Sequence, residues 1–328
     1  MKLTLVIPSL HRLPDETPPL LKLPAFNRML RYGRLQKATL RPSECYARYL
    51  WQGSLLERAK ACLNLPDEIH TAFASPLWQQ MGLHHVSIVG GAYAGITSEE
   101  AEHLCSGLNE FYRQDGWRFY PVSPDLWLLA KPFASEWNVA PVWDICGQIG
   151  STDQADGQDA LEWLGKQTEI QMWLHDHPVN RARAAQNLPP LNGLWLWQDI
   201  QGSGAAELTA ADGVWAKLGG GTVIDVPYDF PAYRRAAQEC GRENADGLIC
   251  LEDLVVTAQT GDVWAYQEIL ESWEARWFEP LWQELRTGRL QKLTIATDGE
   301  NGGELTLTPR SHRAFWKRPK TFRGMGWE

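Results

Sequence analysis

The sequence predicts an α/β fold in which helices flank a largely parallel sheet and antiparallel hairpins are added at an edge. Short β-prone runs alternate with longer helical patterns over most of the chain, which is typical of a parallel sheet. The first of these runs, residues 3–7, is mostly apolar, as expected for a buried strand. Two pairs of later runs are joined by turn residues, which predicts the hairpins.

The elements of the first half follow from hydrophobic spacing, caps and turns. Amphipathic patterns predict helices over residues 24–32, 43–62 and 66–81, and a β-rich run before Gly90-Gly91 predicts a strand. The acidic segment from Thr97 to Glu100 is a helix start, so a helix is expected from there to about residue 114. A turn cluster at residues 123–125 separates two β-prone runs, 117–122 and 126–131, which predicts an antiparallel hairpin.

The second half continues the alternation. Helices are expected over residues 159–175, 231–240 and 262–285, the second of them with a proline in its first turn. Strands are expected over residues 194–197, 222–226 and 248–251. Two further strands, 292–297 and 304–308, are joined by a glycine-rich turn.

The length of 328 residues allows one large domain or two smaller ones. The sequence has neither an internal repeat nor a low-complexity linker. We therefore predict a single α/β domain over residues 1–328, with a hairpin subelement at about 117–131 and a basic, aromatic C-terminal segment at 310–328.

Charge and motifs argue against several functions. A net charge of −9 and a pI near 5.5 repel polyanions, so nucleic acid is not an expected partner. The exception is the C-terminal segment, where basic residues alternate with aromatic ones. It is interpreted either as a terminus docked through its aromatics with solvated charges, which we favour, or as a phosphate or nucleic-acid contact. GxGxxG, P-loop, GxSxG and HExxH motifs are absent.

The cysteines and the apolar runs of the sequence indicate where in the cell the protein is expected. The six cysteines form no CxxC pair, which fits reduced thiols. No run approaches the roughly 18 apolar residues of a membrane span, and the first residues lack a cleavable signal pattern. The expected location is the cytoplasm, with no membrane association.

A His-Asp-His cluster stands where a helical pattern meets Pro178. A proline disfavours α geometry in the residue before it, so His175 should end the helix and His177 should leave it. The cluster offers ligand types for zinc, manganese or iron, but further ligands must come from elsewhere. The alternative, which we favour, is a structural network in which His175 bonds across the helix end and Asp176 caps a turn.

Acidic residues follow two of the predicted strands. Asp298 comes directly after residues 292–297, and Glu252-Asp253 come after residues 248–251. In open α/β sheets the ligand crevice lies outside the carboxyl ends of the strands, so these carboxylates are expected to face one another. Such an arrangement suits metal or phosphate chemistry. Asp298-Gly299 is also an ordinary turn pair, so turn chemistry is an equally good explanation.

The 17 tryptophans exceed what packing usually requires. Those from Trp264 through Trp282 fall near helical spacing, which predicts a core helix, with a platform for an aromatic or sugar ligand as the alternative. Trp195 and Trp197 alternate with leucines on a predicted strand, so both share one face, where a buried indole N–H needs a partner.

Three motifs together resemble one known family: EIQM at 169–172, HDHPVN at 175–180 and NGLWLW at 192–197. They look like the signature of a proteobacterial family whose members are catalogued as RpfE-type regulatory proteins or as cofactor-independent phosphoglycerate mutase-like proteins. The resemblance extends over most of the chain. It implies an alkaline-phosphatase-like fold, which in the mutases carries two divalent metals and a phosphorylated serine.

Carried over residue by residue, the enzyme site has gaps in this chain. The first strand of such enzymes ends in a metal-binding Asp, whereas here Pro8-Ser9 follow it. Asp253 has no histidine a few residues later, and Asp298 is followed by glycine where the family has histidine. His312 is the match for a last ligand. Two-metal chemistry needs a complete ligand shell, so the resemblance implies the fold more strongly than the activity.

Two hypotheses follow. The favoured one is a degenerate, non-catalytic or regulatory module without a cofactor that binds a phosphorylated small molecule or a protein partner, its pocket lined by Asp176, His177, Asn180, Asn192, Trp195 and Trp197. The alternative is a metal-dependent phosphomutase or phosphatase with Ser9 as nucleophile and manganese or zinc held by His175, His177, Asp253, Asp298 and His312. A nucleic-acid regulator would rest on the C-terminal segment alone.

Overall fold

The structure, a computed structural model, describes residues 1–12, 16, 18–81, 86–147, 149–150, 155–204, 206–314 and 316–327. By its internal contacts the chain divides into two compact units. Unit 1 comprises Met1–Gln52 and Gly202–Glu328, and unit 2 comprises Gly53–Gln201. Unit 2 is thus inserted into the sequence of unit 1. Whether the two units fold as one domain, as the sequence predicts, stays a prediction.

Strands and helices are interspersed along the part of the chain up to residue 201. Residues 1–52 form strands β1 (Lys2–Val6) and β2 (Arg34–Lys37) and helices α1 (Pro24–Tyr32) and α2 (Pro42–Tyr49). The inserted part contains the strands β3 (Gln52–Ser54), β4 (His70–Met81), β5 (Val86–Gly90), β6 (Arg118–Ser123), β7 (Leu126–Lys131), β8 (Asn138–Val139), β9 (Ile149–Gly150), β10 (Ala155–Asp156) and β11 (Gly193–Trp197). Its helices are α3 (Leu55–Cys62), α4 (Gly91–Ala94), α5 (Ser98–Phe111), α6 (Val142–Ile145), α7 (Ala160–His175) and α8 (Pro178–Ala185).

The remaining part of the chain returns to unit 1. Its strands are β12 (Gln201–Ser203), β13 (Leu208–Ala210), β14 (Thr222–Ile224), β15 (Gly247–Cys250), β16 (Lys292–Thr297) and β17 (Gly303–Leu307). Its helices are α9 (Val214–Leu218), α10 (Phe230–Glu239), α11 (Asp253–Thr260), α12 (Val263–Trp273) and α13 (Glu279–Arg286), with a π-helical turn at Glu274–Phe278 and a 3-10 turn at Ser311–Arg313.

Unit 1 is built on a sheet with the strand order β14-β13-β15-β1-β16-β17-β2. The first five strands in this order are parallel. β17 pairs antiparallel with β16, and β2 pairs antiparallel with β17 at the edge, so β2 runs in the same direction as β16. This arrangement confirms the predicted α/β class with a largely parallel sheet and antiparallel additions. The carboxyl ends of the parallel strands therefore lie together at one edge of the sheet.

Alternating side chains place one large hydrophobic cluster of unit 1 on one face of this sheet. Leu3 and Leu5 of β1 and Leu293 and Ile295 of β16 are all buried in one hydrophobic cluster with the apolar faces of α1, α12 and α13. Burying each side chain of this size contributes roughly 1.5–3 kcal/mol relative to exposure. The helices thus flank the sheet because their apolar stripes match the period-2 pattern of the strands.

Unit 2 has a different, antiparallel sheet. Its strands follow the order β6-β7-β4-β5-β9, and β11 also pairs with β4. The predicted hairpin over 117–131 is confirmed as β6 and β7, but it belongs to this second sheet and not to an edge of the parallel one.

Two predictions of helix were wrong. Residues 66–81 contain β4, a 12-residue strand, because pairing with β5, β7 and β11 determines the conformation of this segment. The helix expected over 43–62 is interrupted at residues 50–54, where Gly53 adopts a positive φ of 78°.

The long helix expected over 262–285 is present with one irregularity. Asp262 caps α12 by accepting the backbone N–H groups of Trp264 and Ala265, and the π turn at Glu274–Phe278 separates α12 from α13. Trp273, Trp277 and Trp282 are buried, as predicted for core residues, whereas Trp264 is 71% exposed.

The C-terminal segment packs on unit 1. The backbone N–H of Phe322 donates to Oδ1 of Asn27 at 2.8 Å, and its buried ring meets Phe26 edge-on at 5.0 Å. Trp316 is exposed. Residues 315 and 328 lie outside the described part. The expectation of a segment docked through aromatics is confirmed for Phe322.

None of the helices in the described part of the chain has the length and apolar character that a bilayer crossing requires.

Candidate functional site

The His-Asp-His cluster of unit 2 forms the junction between two helices. Helix α7 ends at His175 and His177 is extended, both as predicted. Pro178 does not end the helical region, because it is the first residue of α8, where a proline is favoured. Nδ1 of His177 accepts the N–H of Val179 at 3.2 Å and so caps α8. The structural network predicted from the sequence had Asp176 as the capping residue, whereas in the structure His177 caps the helix.

The cap requires an unprotonated Nδ1 on His177. Burial, with smaller contributions from the charges of His103 and Arg181, lowers the pKa of His177. The ring also packs against Trp173, with 4.5 Å between ring centroids. His175 and Asp176 are exposed. In unit 2, therefore, His177 is held by local contacts, while its two neighbours face solvent.

The two asparagines of the motif act as backbone connectors. Nδ2 of Asn180 donates to the carbonyls of Leu174 and Leu191, both at 2.8 Å, and Oδ1 accepts the N–H of Leu191 at 2.8 Å. Asn192 pairs in the same way with both backbone groups of Gln79, at 2.7 and 2.8 Å. These contacts join α7, α8 and β4 to the two residues that precede β11.

The two tryptophans of β11 are in the core of unit 2. Trp195 donates its indole N–H to the carbonyl of Ala140 at 2.8 Å, and Trp197 donates to Oγ of Ser75 at 3.0 Å. Both side chains are at most 1% exposed. The hydrogen-bond acceptors expected for the two buried indole N–H groups are therefore groups of the protein itself. That the six residues of the motif line a ligand pocket stays a prediction.

The sheet of unit 1 brings two strand ends together at its carboxyl edge. After β1 the chain turns at Ser9, which adopts a left-handed φ of 58°. In this conformation the Ser9 N–H donates to Oδ1 of Asp298 at 2.7 Å. Asp298 follows β16 and is 4% exposed. One carboxylate oxygen of Asp298 thus serves to fix the loop after β1.

A second acidic group lies at the end of β15. Oε1 of Glu252 accepts the hydroxyl of Tyr46 at 2.8 Å. Burial raises the pKa of Tyr46, and the negative charge of Glu252 raises it further. The pKa of the Cys250 thiol is raised by burial and then by several negative neighbours, with Glu252 first and Asp298 and Asp212 among the others. The carboxylates that follow β13, β15 and β16 therefore make this edge electrostatically negative.

The residues predicted to hold a metal differ in their surroundings. Asp298 is buried, Asp253 is exposed at the start of α11, and His312 is half-buried in the 3-10 turn. His175 and His177 are in unit 2. Among the residues that the structure describes, no group of three or more His, Cys, Asp or Glu side chains is arranged to hold a metal ion. The five-residue ligand set stays a prediction.

A cavity of about 310 Å³ lies close to the same edge and was not predicted. Two of its lining residues lie at the end of a strand or in a turn between strands, and four lie in the C-terminal segment: Lys37, Asn301, Arg323, Met325, Gly326 and Trp327. His11, two residues after Ser9, packs edge-on against Trp327 with 5.1 Å between ring centroids. The basic character of the C-terminal segment was the only sequence signal for this cavity.

The pKa of His11 predicts a pH-dependent stability. Burial, and to a smaller extent the charge of Lys37, lowers this pKa from 6.5 to about 4. The unfolded chain therefore binds the proton more strongly, so the stability is complete above about pH 6.5 and is lost as the pH falls toward 4. Between pH 7 and pH 5 we expect wild type to lose about 2 kcal/mol more unfolding free energy than His11→Phe, measured by urea denaturation.

The matched control is His175→Phe, which changes an exposed histidine. This variant should keep the pH dependence of wild type. An identical loss of stability in wild type and His11→Phe would contradict the assignment to His11.

Comparison with known proteins identifies partial relatives. The 2,3-bisphosphoglycerate-independent phosphoglycerate mutase of Methanosarcina acetivorans is 29% identical over 150 residues, which cover 40% of this chain and 37% of that enzyme. The enzyme of the same name from Methanothrix thermoacetophila is 30% identical over 148 residues, covering 40% of this chain and 36% of the enzyme. The chain thus matches little more than a third of the length of these relatives. No protein-family model matches it.

Two solved structures were also found. The cofactor-independent phosphoglycerate mutase of Thermoplasma acidophilum gives a TM-score of 0.41 at 16% identity, over 94% of this chain and 90% of the other. A protein of Pyrococcus horikoshii gives 0.49 at 13% identity, over 94% and 87%. The sequence relatives confirm the predicted phosphoglycerate mutase-like relationship, whereas the narrower assignment to an RpfE-type proteobacterial group stays a prediction.

Proposed function

We propose that this chain is a degenerate phosphoglycerate mutase-like protein that binds a small phosphorylated molecule at the carboxyl edge of its parallel sheet, without transferring the phosphate. A non-catalytic or regulatory role follows from this proposal. A protein partner, the other ligand expected from the sequence, stays a prediction.

The observation that carries the proposal is the contact between Ser9 and Asp298. Where the mutases are expected to have a metal-binding Asp, this chain has Pro8-Ser9, and the backbone N–H of Ser9 bonds to Oδ1 of Asp298 at 2.7 Å. A neutral N–H contributes a hydrogen bond to the carboxylate but no charge. This contact supports a structural use of Asp298, since it fixes the loop beside the crevice where ligands bind in such sheets.

Phosphoryl transfer makes a further demand on this edge. Phosphate monoesters are dianionic near neutral pH, and the transition state spreads negative charge over the phosphoryl oxygens. Catalysis therefore needs positive charge beside the reacting atoms. The strand ends supply Glu252, Asp212 and Asp298, which are all acidic. Binding of the phosphate at a nearby basic position, without chemistry at the strand ends, is the function that these residues support best.

The second candidate is a metal-dependent phosphomutase or phosphatase. It is favoured by the two sequence relatives, which are both phosphoglycerate mutases by name. In this case manganese or zinc would complete the site and supply the missing positive charge.

Metal content and binding separate the two candidates. Under the proposal, chain purified without chelator binds phenyl phosphate in the presence of EDTA, at about one molecule per chain, and Asp298→Asn binds it equally well. The asparagine keeps an oxygen that can accept the N–H of Ser9, so folding should be preserved. Elemental analysis, calorimetry and a phosphatase assay provide the measurements.

The control for these measurements is Asp225→Asn, which changes an exposed carboxylate in an ion pair with Lys217. Near-stoichiometric manganese or zinc in wild type, lost together with phosphatase activity in Asp298→Asn but not in Asp225→Asn, would establish the enzyme instead.

A further inference from the structure

Three buried polar atoms, on Trp327 of the cavity lining and on the adjacent His11, have no hydrogen-bond partner among the described residues. They are Nδ1 and Nε2 of His11 and Nε1 of Trp327, and none of them bonds to any group in the described part of the chain. A buried polar group without a partner costs roughly 1–3 kcal/mol, and such groups are rare in folded proteins unless water or a ligand satisfies them. Of these atoms, Nε1 belongs to Trp327, which lines the cavity, and the His11 ring packs on that indole with 5.1 Å between ring centroids.

The cavity has the size and the charge for a small organic anion. Its volume of about 310 Å³ is at the lower end of the range of ligand pockets. Lys37 and Arg323 line it, and Arg323 forms no ion pair with a carboxylate of the described residues. In a second cavity of unit 1, about 250 Å³ in volume, Lys2 is instead paired with Asp246 at 3.2 Å.

The position of the cavity agrees with the proposed crevice. Lys37 ends β2, Asn301 lies in the turn between β16 and β17, and His11 follows β1, so all three lie at the carboxyl edge of the sheet. The strand ends themselves are acidic and repel an anion. Within this edge, a phosphate group is therefore better placed beside Lys37 and Arg323 than beside Asp298.

The C-terminal segment is held over the cavity by specific bonds. Nδ2 of Asn301 donates to the carbonyl of Met325 at 3.1 Å, and the backbone N–H of Arg12 donates to the carbonyl of Gly324 at 2.6 Å. Gly324 and Met325 are anchored by these two bonds, and Arg323 and Trp327 flank them in the sequence. Two side chains of different chemistry, one cationic and one aromatic, are thus presented by one short segment.

We infer that this cavity binds a phosphate monoester, with Arg323 and Lys37 at the phosphate and Trp327 and Met325 against the organic group. This inference rests on the proposed function and specifies where the ligand binds. A guanidinium fits phosphate oxygens through two parallel N–H bonds, and Lys37 adds a point charge.

Calorimetry with phenyl phosphate in EDTA tests the inference. Arg323→Gln should weaken binding by at least about tenfold, because it removes a charge-assisted pair of hydrogen bonds. Lys37→Gln, which changes an exposed residue of the edge strand β2, should also weaken the binding of phenyl phosphate. Trp327→Phe keeps an aromatic ring against the organic group, so a smaller loss than in Arg323→Gln is expected. The matched control is Arg313→Gln, an exposed cation of the same segment that does not line the cavity, with binding unchanged.

Nuclear magnetic resonance of the histidine ring nitrogens gives a second measurement, with His11 identified by its loss in His11→Phe. Addition of phenyl phosphate should shift the His11 signals in wild type and not in Arg323→Gln. If phenyl phosphate binds equally well to wild type, Arg323→Gln and Lys37→Gln, the inference is overturned while the proposed function stands. If neither phenyl phosphate nor inorganic phosphate binds to wild type, both are overturned.

Discussion

Replacing Trp197 with alanine is expected to lower the unfolding free energy by about 3–5 kcal/mol. The Trp197 ring is fully buried, stacks on Phe73 with 4.4 Å between centroids and meets Trp143 at 5.2 Å. Its indole N–H is also the donor to buried Ser75. The substitution therefore leaves a cavity and removes a buried hydrogen bond. Urea denaturation followed by far-ultraviolet circular dichroism measures the change.

Trp264→Ala is the matched control, since this side chain is 71% exposed. Its effect should stay within about 0.5 kcal/mol, as for most surface substitutions. A Trp197→Ala protein as stable as wild type would show that β11 is not part of the core. It would also favour the prediction that this strand lines a ligand pocket.

Arg183→Met is expected to destabilise the chain by about 3–5 kcal/mol. The Arg183 guanidinium is 1% exposed and pairs with both carboxylate oxygens of Glu100, at 3.0 and 2.8 Å. It also donates to the carbonyls of Pro189 and Ala94. Methionine fills much of the space but leaves Glu100 and two carbonyls without their donor. Glu100 additionally forms the capping box of α5, so the start of that helix should loosen as well.

Arg181→Met provides the comparison for Arg183→Met, because Arg181 is exposed on the same helix α8. The two substitutions change the charge of the chain equally. Equal unfolding free energies for the two variants, measured by urea denaturation, would contradict the role assigned to Arg183.

Elements with strong local signals could be predicted from the sequence. Helix α1 has the predicted bounds, because Pro24 presets the first turn and an apolar stripe follows it. Helix α5 starts where Thr97 and Glu100 predicted, and the two residues form a reciprocal capping box. In both helices the residues that determine the boundary are neighbours in sequence.

Elements whose conformation depends on residues distant in sequence could not be predicted. Strand β4 was predicted as a helix because its own residues are amphipathic, whereas its conformation follows from pairing with β5, β7 and β11. The candidate site divides in the same way. The position of Asp298 at the carboxyl edge of the sheet was predicted from a local rule, because this residue directly follows a strand. The cavity was missed because Lys37, Asn301 and Trp327 come from segments that only the tertiary structure brings together.

The insertion of unit 2 has a consequence for the order in which the chain is made. Strand β1 emerges from the ribosome before the other strands of its sheet, yet Lys2 bonds to Asp246, 244 residues later, and β1 pairs with β15 and β16. Both neighbours of β1 are thus synthesised only after unit 2 is complete. Until then the hydrogen-bonding edges of β1 stay open to other chains, a state that favours aggregation and that chaperones relieve. The contiguous unit 2, by contrast, can begin to fold as soon as its own residues have emerged.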